Sequence, residues 1–167
     1  FLRFYRLGSN PPSLNWDEVS IGYNAYSILK TGRDEWGQFL PIHFKSYGEY
    51  KLPIQIYASI PGIAIFGLNE LGVRITPVVY GTLTVLLLFF LGRALFQNTY
   101  IGLIAAFLLA ISPWHINLSR TATESVLVVF FLISGIYLYF SGLKKKSRLW
   151  LFLAFVCLGI NLYIYLA

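Results

Sequence analysis

The sequence predicts an all-α fold: a polytopic bundle of transmembrane helices, with shorter juxtamembrane helices in its first large loop. Three observations carry that prediction. Apolar residues make up 57% of the 167 residues, charged ones only 12%, and the mean hydropathy is +0.65, which places the chain outside the soluble classes. The apolar residues fall in long runs separated by short polar turns. Charges stand at the ends of those runs and leave their interiors empty.

Taken in order, Phe1 to Leu7 with Arg3 and Arg6 reads as the tail of an earlier span reaching an interface, and Pro11-Pro12 stops any helix. Residues 8–72 form the expected external loop. Within it a helix is expected at 16–31, with Asn15 as N-cap, Glu18 at the reciprocal capping-box position and Gly32 ending it. Its Trp and Tyr side chains suit a membrane interface. Gly32, Gly37, Pro41 and Gly48 mark residues 32–51 as loop, and His43 there has no second His or Cys at metal-ligand spacing.

Residues 52–68 are apolar but broken by Pro53, Pro61 and Gly62. Seventeen residues at ~1.5 Å each fall short of the ~30 Å of hydrocarbon, so a juxtamembrane helix that does not cross is expected. Spans are then expected at about 75–91, 100–114, 125–140 and 149–167.

Charge sets the orientation. Net charge is +6, and four of the basic residues lie in Lys144-Lys145-Lys146-Ser147-Arg148, a topology signal for the cytoplasmic side and not a nucleic-acid patch. Alternating outward from that loop puts all seven acids, Asp17, Glu18, Asp34, Glu35, Glu49, Glu70 and Glu124, on the outer side. That parity holds only if 52–68 returns to the face it left. The single cysteine, Cys157, allows no internal disulfide and no multi-cysteine metal site. The chain opens on Phe1, lacks Met and stops within an apolar run, and is read as one piece of a longer protein.

On this topology Asp17, Glu18, Lys51, Arg74, Arg120 and Glu124 gather at one membrane-level surface. Each also has a structural reading. Asp17 and Glu18 suit a helix start through capping and dipole terms of about 1 kcal/mol. Lys51, Arg74 and Arg120 suit interfacial anchors, and Arg120 stands four residues before Glu124 at helical pairing distance. His115, beside Trp114, reads as structural.

The order of these pieces resembles a family. An Asp17-Glu18 pair soon after a membrane helix is followed by Lys51-Leu52-Pro53-Ile54, then by Gly67-Leu68-Asn69-Glu70-Leu71-Gly72-Val73-Arg74-Ile75. Last come Ser112-Pro113-Trp114-His115-Ile116, Ser119-Arg120 and Glu124. Together these are similar to the N-terminal part of the polyprenyl-phosphate-dependent membrane glycosyltransferases of the GT-C class, the group of the protein O-mannosyltransferases and aminoarabinose transferases. Where family members show two prolines after the basic residue, this chain has Leu52-Pro53.

The resemblance implies an inverting transfer of a sugar from a polyprenyl-phosphate donor to a protein, lipid or glycan acceptor. The active site would face the extracytoplasmic side of the plasma membrane. It implies Asp17 as the catalytic carboxylate with Glu18 beside it, and Lys51, Arg74, Arg120 and Glu124 as substrate-binding residues. No cofactor is expected by default, although Asp17, Glu18 and Glu124 offer oxygen ligands to a hard divalent metal ion. The competing readings are a transporter or flippase fragment, which calls for charges deep within spans, and a structural subunit.

Overall fold

The computed structural model describes residues 1–164, and its regular structure is helical apart from one two-residue ladder. Residues 2–9 form successive turns. Helix α1 (Trp16–Thr31) starts as its sequence demands: Asn15 Oδ1 accepts from Glu18 N at 2.8 Å and Glu18 Oε2 accepts from Asn15 N at 3.1 Å. It stops at Gly32, whose left-handed φ of 69° lets its N–H reach Ile28 O. Its inner face, Ile21, Ala25 and Ile28, packs with Ile56 and Ile63 of the next helix and with Phe44.

Strands β1 (Phe44–Lys45) and β2 (Tyr50–Lys51) pair antiparallel and bring the chain back beneath α1. Helix α2 (Pro53–Phe66) begins with Pro53 in the first turn, where the missing N–H costs nothing, and carries Pro61 inside it. It crosses the start of α3 (Glu70–Phe96) closely enough that a Cβ on Gly62 would come within 2.6 Å of Gly72 O.

Helix α3 begins five residues before the expected span because Asn69 Oδ1 caps Gly72 N at 2.9 Å. Its 27 residues measure ~40 Å, and the 21 of α6 (Ser125–Lys145) measure ~31 Å. Both are long and apolar enough to cross a membrane. Between them α4 (Thr99–Ile111) and α5 (Pro113–Arg120) meet at a 58° bend and pass the same test only as one broken span. Residues 115–120, which lie outside every expected span, continue the α5 helix because Pro113 sits at a first-turn position that favours helix. Helix α7 (Arg148–Ile160) and a 3₁₀ turn, Asn161–Tyr163, make a shorter apolar element. The expected last span, 149–167, ends outside the described residues.

Helices α3, α4, α6 and α7 pack as the bundle, while α1 and α2 cover one of its ends.

Candidate active site

Three arginines hold that covered end together. Arg74, wholly buried, donates from Nε to Glu18 Oε1 at 2.8 Å and from Nη2 to Glu18 Oε2 at 3.0 Å. Its other three N–H groups go to Ser13 O and Pro11 O, each at 2.7 Å, and to Leu7 O at 3.4 Å. Arg120 donates to the carbonyls of Leu2, Arg3, Tyr5 and Asn10. Arg3 reaches forward to the carbonyls of Leu109 and Ala110 and lies 2.8 Å from His115 Nδ1. An irregular stretch such as 1–13 exposes carbonyls that cannot stay unpaired near lipid, and guanidinium forks supply the donors.

Glu18 is equally committed. Besides Arg74 it accepts from Ala122 N at 3.0 Å and from Asn15 N, so both oxygens carry two bonds. Burial alone would raise its carboxyl, but the Arg74, Ala122 and Asn15 hydrogen bonds outweigh it and hold Glu18 below the ordinary glutamate range. Arg74 and Arg120, expected to bind substrate, and Glu18, expected beside the catalytic carboxylate, thus have their polar atoms turned into the scaffold.

Asp17 is placed differently. It lines an open cavity of about 520 Å³ with Lys51, Glu124, Glu49, Tyr50 and Leu52. Lys51 Nζ lies 2.7 Å from Asp17 Oδ1 and 2.9 Å from Glu49 Oε1. Asp17 Oδ2 has no hydrogen-bond partner among the described residues, and its side chain is 37% exposed. Burial works against the Lys51 charge, yet the hydrogen bonds to Asp17 and Glu49 prevail and hold it above its ordinary value. Glu124 is pushed up by burial, with the Asp17 and Glu49 charges adding to the effect and Lys51 opposing it.

The pairings also settle the path of α2. Neighbouring residues Asp17 and Glu18 bind Lys51, two residues before α2, and Arg74, near the start of α3. The apolar helix therefore starts and ends near the same acid pair, at one end of the bundle.

Of the six expected site residues, the cavity gathers Asp17, Lys51 and Glu124 and leaves out Glu18, Arg74 and Arg120. Glu49 was read only as a loop acid. Its signal was present in the i, i+2 spacing to Lys51, which puts both on one face of an extended strand. Among the described residues no group of three or more His, Cys, Asp or Glu is disposed to hold a metal ion. Lys51 Nζ fills the space between Asp17 and Glu49 that a cation would take.

Residues 1–164 match the family of dolichyl-phosphate-mannose-protein mannosyltransferases. A protein of Aquifex aeolicus (strain VF5), described as uncharacterized, is 28% identical over 93% of this chain and 30% of its own length. YkcB of Bacillus subtilis (strain 168), named provisionally as a mannosyltransferase, is 30% identical over 66% of this chain and 15% of its own. The chain thus spans less than a third of either relative. No solved structure matches it. With nearly its whole length matched and a helical membrane architecture to go with it, the chain belongs to the dolichyl-phosphate-mannose-protein mannosyltransferase family, of the GT-C type.

Proposed function

We propose that the chain forms the acceptor-activating end of a membrane glycosyltransferase that takes its sugar from a polyprenyl-phosphate donor. The carrying observation is Asp17, which lines an open cavity with Oδ1 fixed by Lys51 at 2.7 Å and Oδ2 without a hydrogen-bond partner among the described residues. An acceptor hydroxyl seated there gives its proton to Oδ2 as its oxygen bonds to the anomeric carbon from the face opposite the phosphate. The bond from that carbon to the phosphate oxygen breaks, its electron pair leaves with the polyprenyl phosphate, and the anomeric configuration inverts.

Lys51 holds the base in place and tempers the charge of a cavity that also carries Glu49 and Glu124. With the donors of Arg74 and Arg120 occupied by carbonyls and Glu18, Lys51 is the one cation lining the cavity among the described residues. Its charge is already shared by two acids, so we assign the main phosphate clamp to parts of the protein beyond this chain. Glu124 orients the acceptor or the sugar hydroxyls. Mannose as the sugar, a protein, lipid or glycan as the acceptor, and an extracytoplasmic site on the plasma membrane complete the reading.

The transporter alternative calls for charges deep in the spans. Those of α3 and α6 lie within two turns of a helix end: Glu70 and Arg74 at one end, Arg93, Lys144 and Lys145 at the other.

The test is sugar transfer from a polyprenyl-phosphate donor by the full-length Asp17→Asn protein. Transfer is expected to fall by about 10²–10⁴-fold, the range of a lost general base, with membrane insertion unchanged. Transfer at the wild-type rate sinks the assignment.

A further inference from the structure

The end of the bundle opposite the acidic cavity carries a second cavity, of about 660 Å³, between the C-terminal ends of α3 and α6. Arg93, Lys144 and Lys145 line it with Gln97, Ser141 and Tyr137. No carboxylate does, and the sequence has none between Leu71 and Thr123 or after Glu124. Three cations therefore share one recess without a protein counter-charge. Two of them are held in place: Lys144 Nζ donates to Gln97 Oε1 at 3.2 Å, and Lys145 Nζ stands 3.5 Å from the centre of the Trp150 ring.

This recess opens onto hydrocarbon-like surface. Phe90 and Tyr137 belong to it and equally to an adjoining cavity of about 400 Å³ formed by α3, α6 and α7, lined almost wholly by apolar side chains such as Leu87, Leu138 and Trp150. Leu83 and Phe130 carry that groove on into a further apolar cavity of about 570 Å³ along α3. A cationic recess at the head of a long apolar groove has the polarity profile of an amphiphile with a phosphate head and alkyl tails.

The level in the membrane agrees. Helix α6 runs ~31 Å from the acidic cavity to Lys145, about one hydrocarbon thickness, so the cations sit at the headgroup depth of the other leaflet. Short loops rich in Lys and Arg face the cytoplasm, and the cytoplasmic leaflet is the anionic one.

We propose that Arg93, Lys144 and Lys145 bind the headgroup of an anionic phospholipid whose acyl chains lie in the apolar groove between α3, α6 and α7. A polyprenyl phosphate offers the same phosphate on a hydrocarbon tail, but its reactive end belongs at the Asp17 cavity a membrane thickness away.

The test uses the intact protein purified in detergent, with bound lipid read by native mass spectrometry. Phosphatidylglycerol is expected to be retained about 10-fold or more over phosphatidylcholine. The triple variant Arg93→Gln, Lys144→Gln, Lys145→Gln should lose that preference, and Lys146→Gln with Arg148→Gln, outside the recess, should keep it. Independently of any recess variant, phosphatidylglycerol with brominated acyl chains should quench the emission of Trp150, taken as wild type minus Trp150→Phe. Equal retention of the two phospholipids, equal loss in both charge variants, displacement by millimolar inorganic phosphate, preferential retention of polyprenyl phosphate, or unquenched Trp150 would each overturn the proposal. The last is the result if another part of the protein fills the groove.

Discussion

Glu18 and Arg74, 56 positions apart in the sequence, form an ion pair shut off from solvent in which neither side chain has a hydrogen-bonding position to spare. Removing one partner strands a buried charge, so Glu18→Gln or Arg74→Ala should destabilise the protein by about 3–5 kcal/mol. Arg74→Lys should recover little, because an ammonium cannot reproduce a fork to one carboxylate and three carbonyls. Thermal unfolding in detergent reads both effects.

The same pair sets an acid limit. Glu18 is held below the ordinary glutamate value of 4.5, so its contribution is complete above that value and is lost as pH falls through it toward the folded-state value. Stability measured from pH 7 downward should begin to drop near pH 4.5, and Arg74→Ala should remove this part of the slope.

Glu124 has the opposite sign. Burial raises its carboxyl, so whatever it contributes is fully present below pH 4.5 and is lost as pH rises through the raised value. Glu124→Gln at pH 7 should be as stable as wild type within about 1 kcal/mol, or more stable. If the residue orients a substrate, its loss should raise KM about 10-fold and change kcat less.

Lys51→Gln takes the one cation from among the cavity's three acids. The mutual repulsion of the remaining charges then favours protonation, pushing Glu124 further up, and the acidic limb of the pH–rate profile should move to higher pH. A full pH–kcat/KM profile of wild type and variant decides it. An unmoved limb would mean that Lys51 does not set the charge of the site.

Gly81 marks where α3 and α5 touch: a Cβ there would meet the Ser119 hydroxyl and come within 2.8 Å of Ser119 Cβ. Gly81→Ala should cost about 1–3 kcal/mol by overpacking. Gly159→Ala, at a position with nothing within 4 Å, should be tolerated. Both are read from the melting temperature.

Much of this arrangement was legible because its causes are local. The Asn15–Glu18 capping box, the Gly32 stop and the shortness of the apolar helix within 52–68 all follow from short spacings and lengths. The roles of the arginines were not legible. Arg120 meets carbonyls more than a hundred residues away, and a backbone acceptor leaves no trace in side-chain identity. Cation beside carboxylate reads alike as catalytic machinery or as scaffold until the remaining donors are counted. For Arg74 that count goes to the scaffold; for Lys51 it leaves the lysine at the cavity.

The bonds of Glu18 to Arg74 and to the amide of Ala122 also impose an order in time on the growing polypeptide. At roughly 5–20 residues per second, the ribosome supplies the arginine some seconds after the glutamate, and the amide later still. The covered end of the bundle can therefore be completed only once the start of α3 and the turn leading into α6 have both emerged.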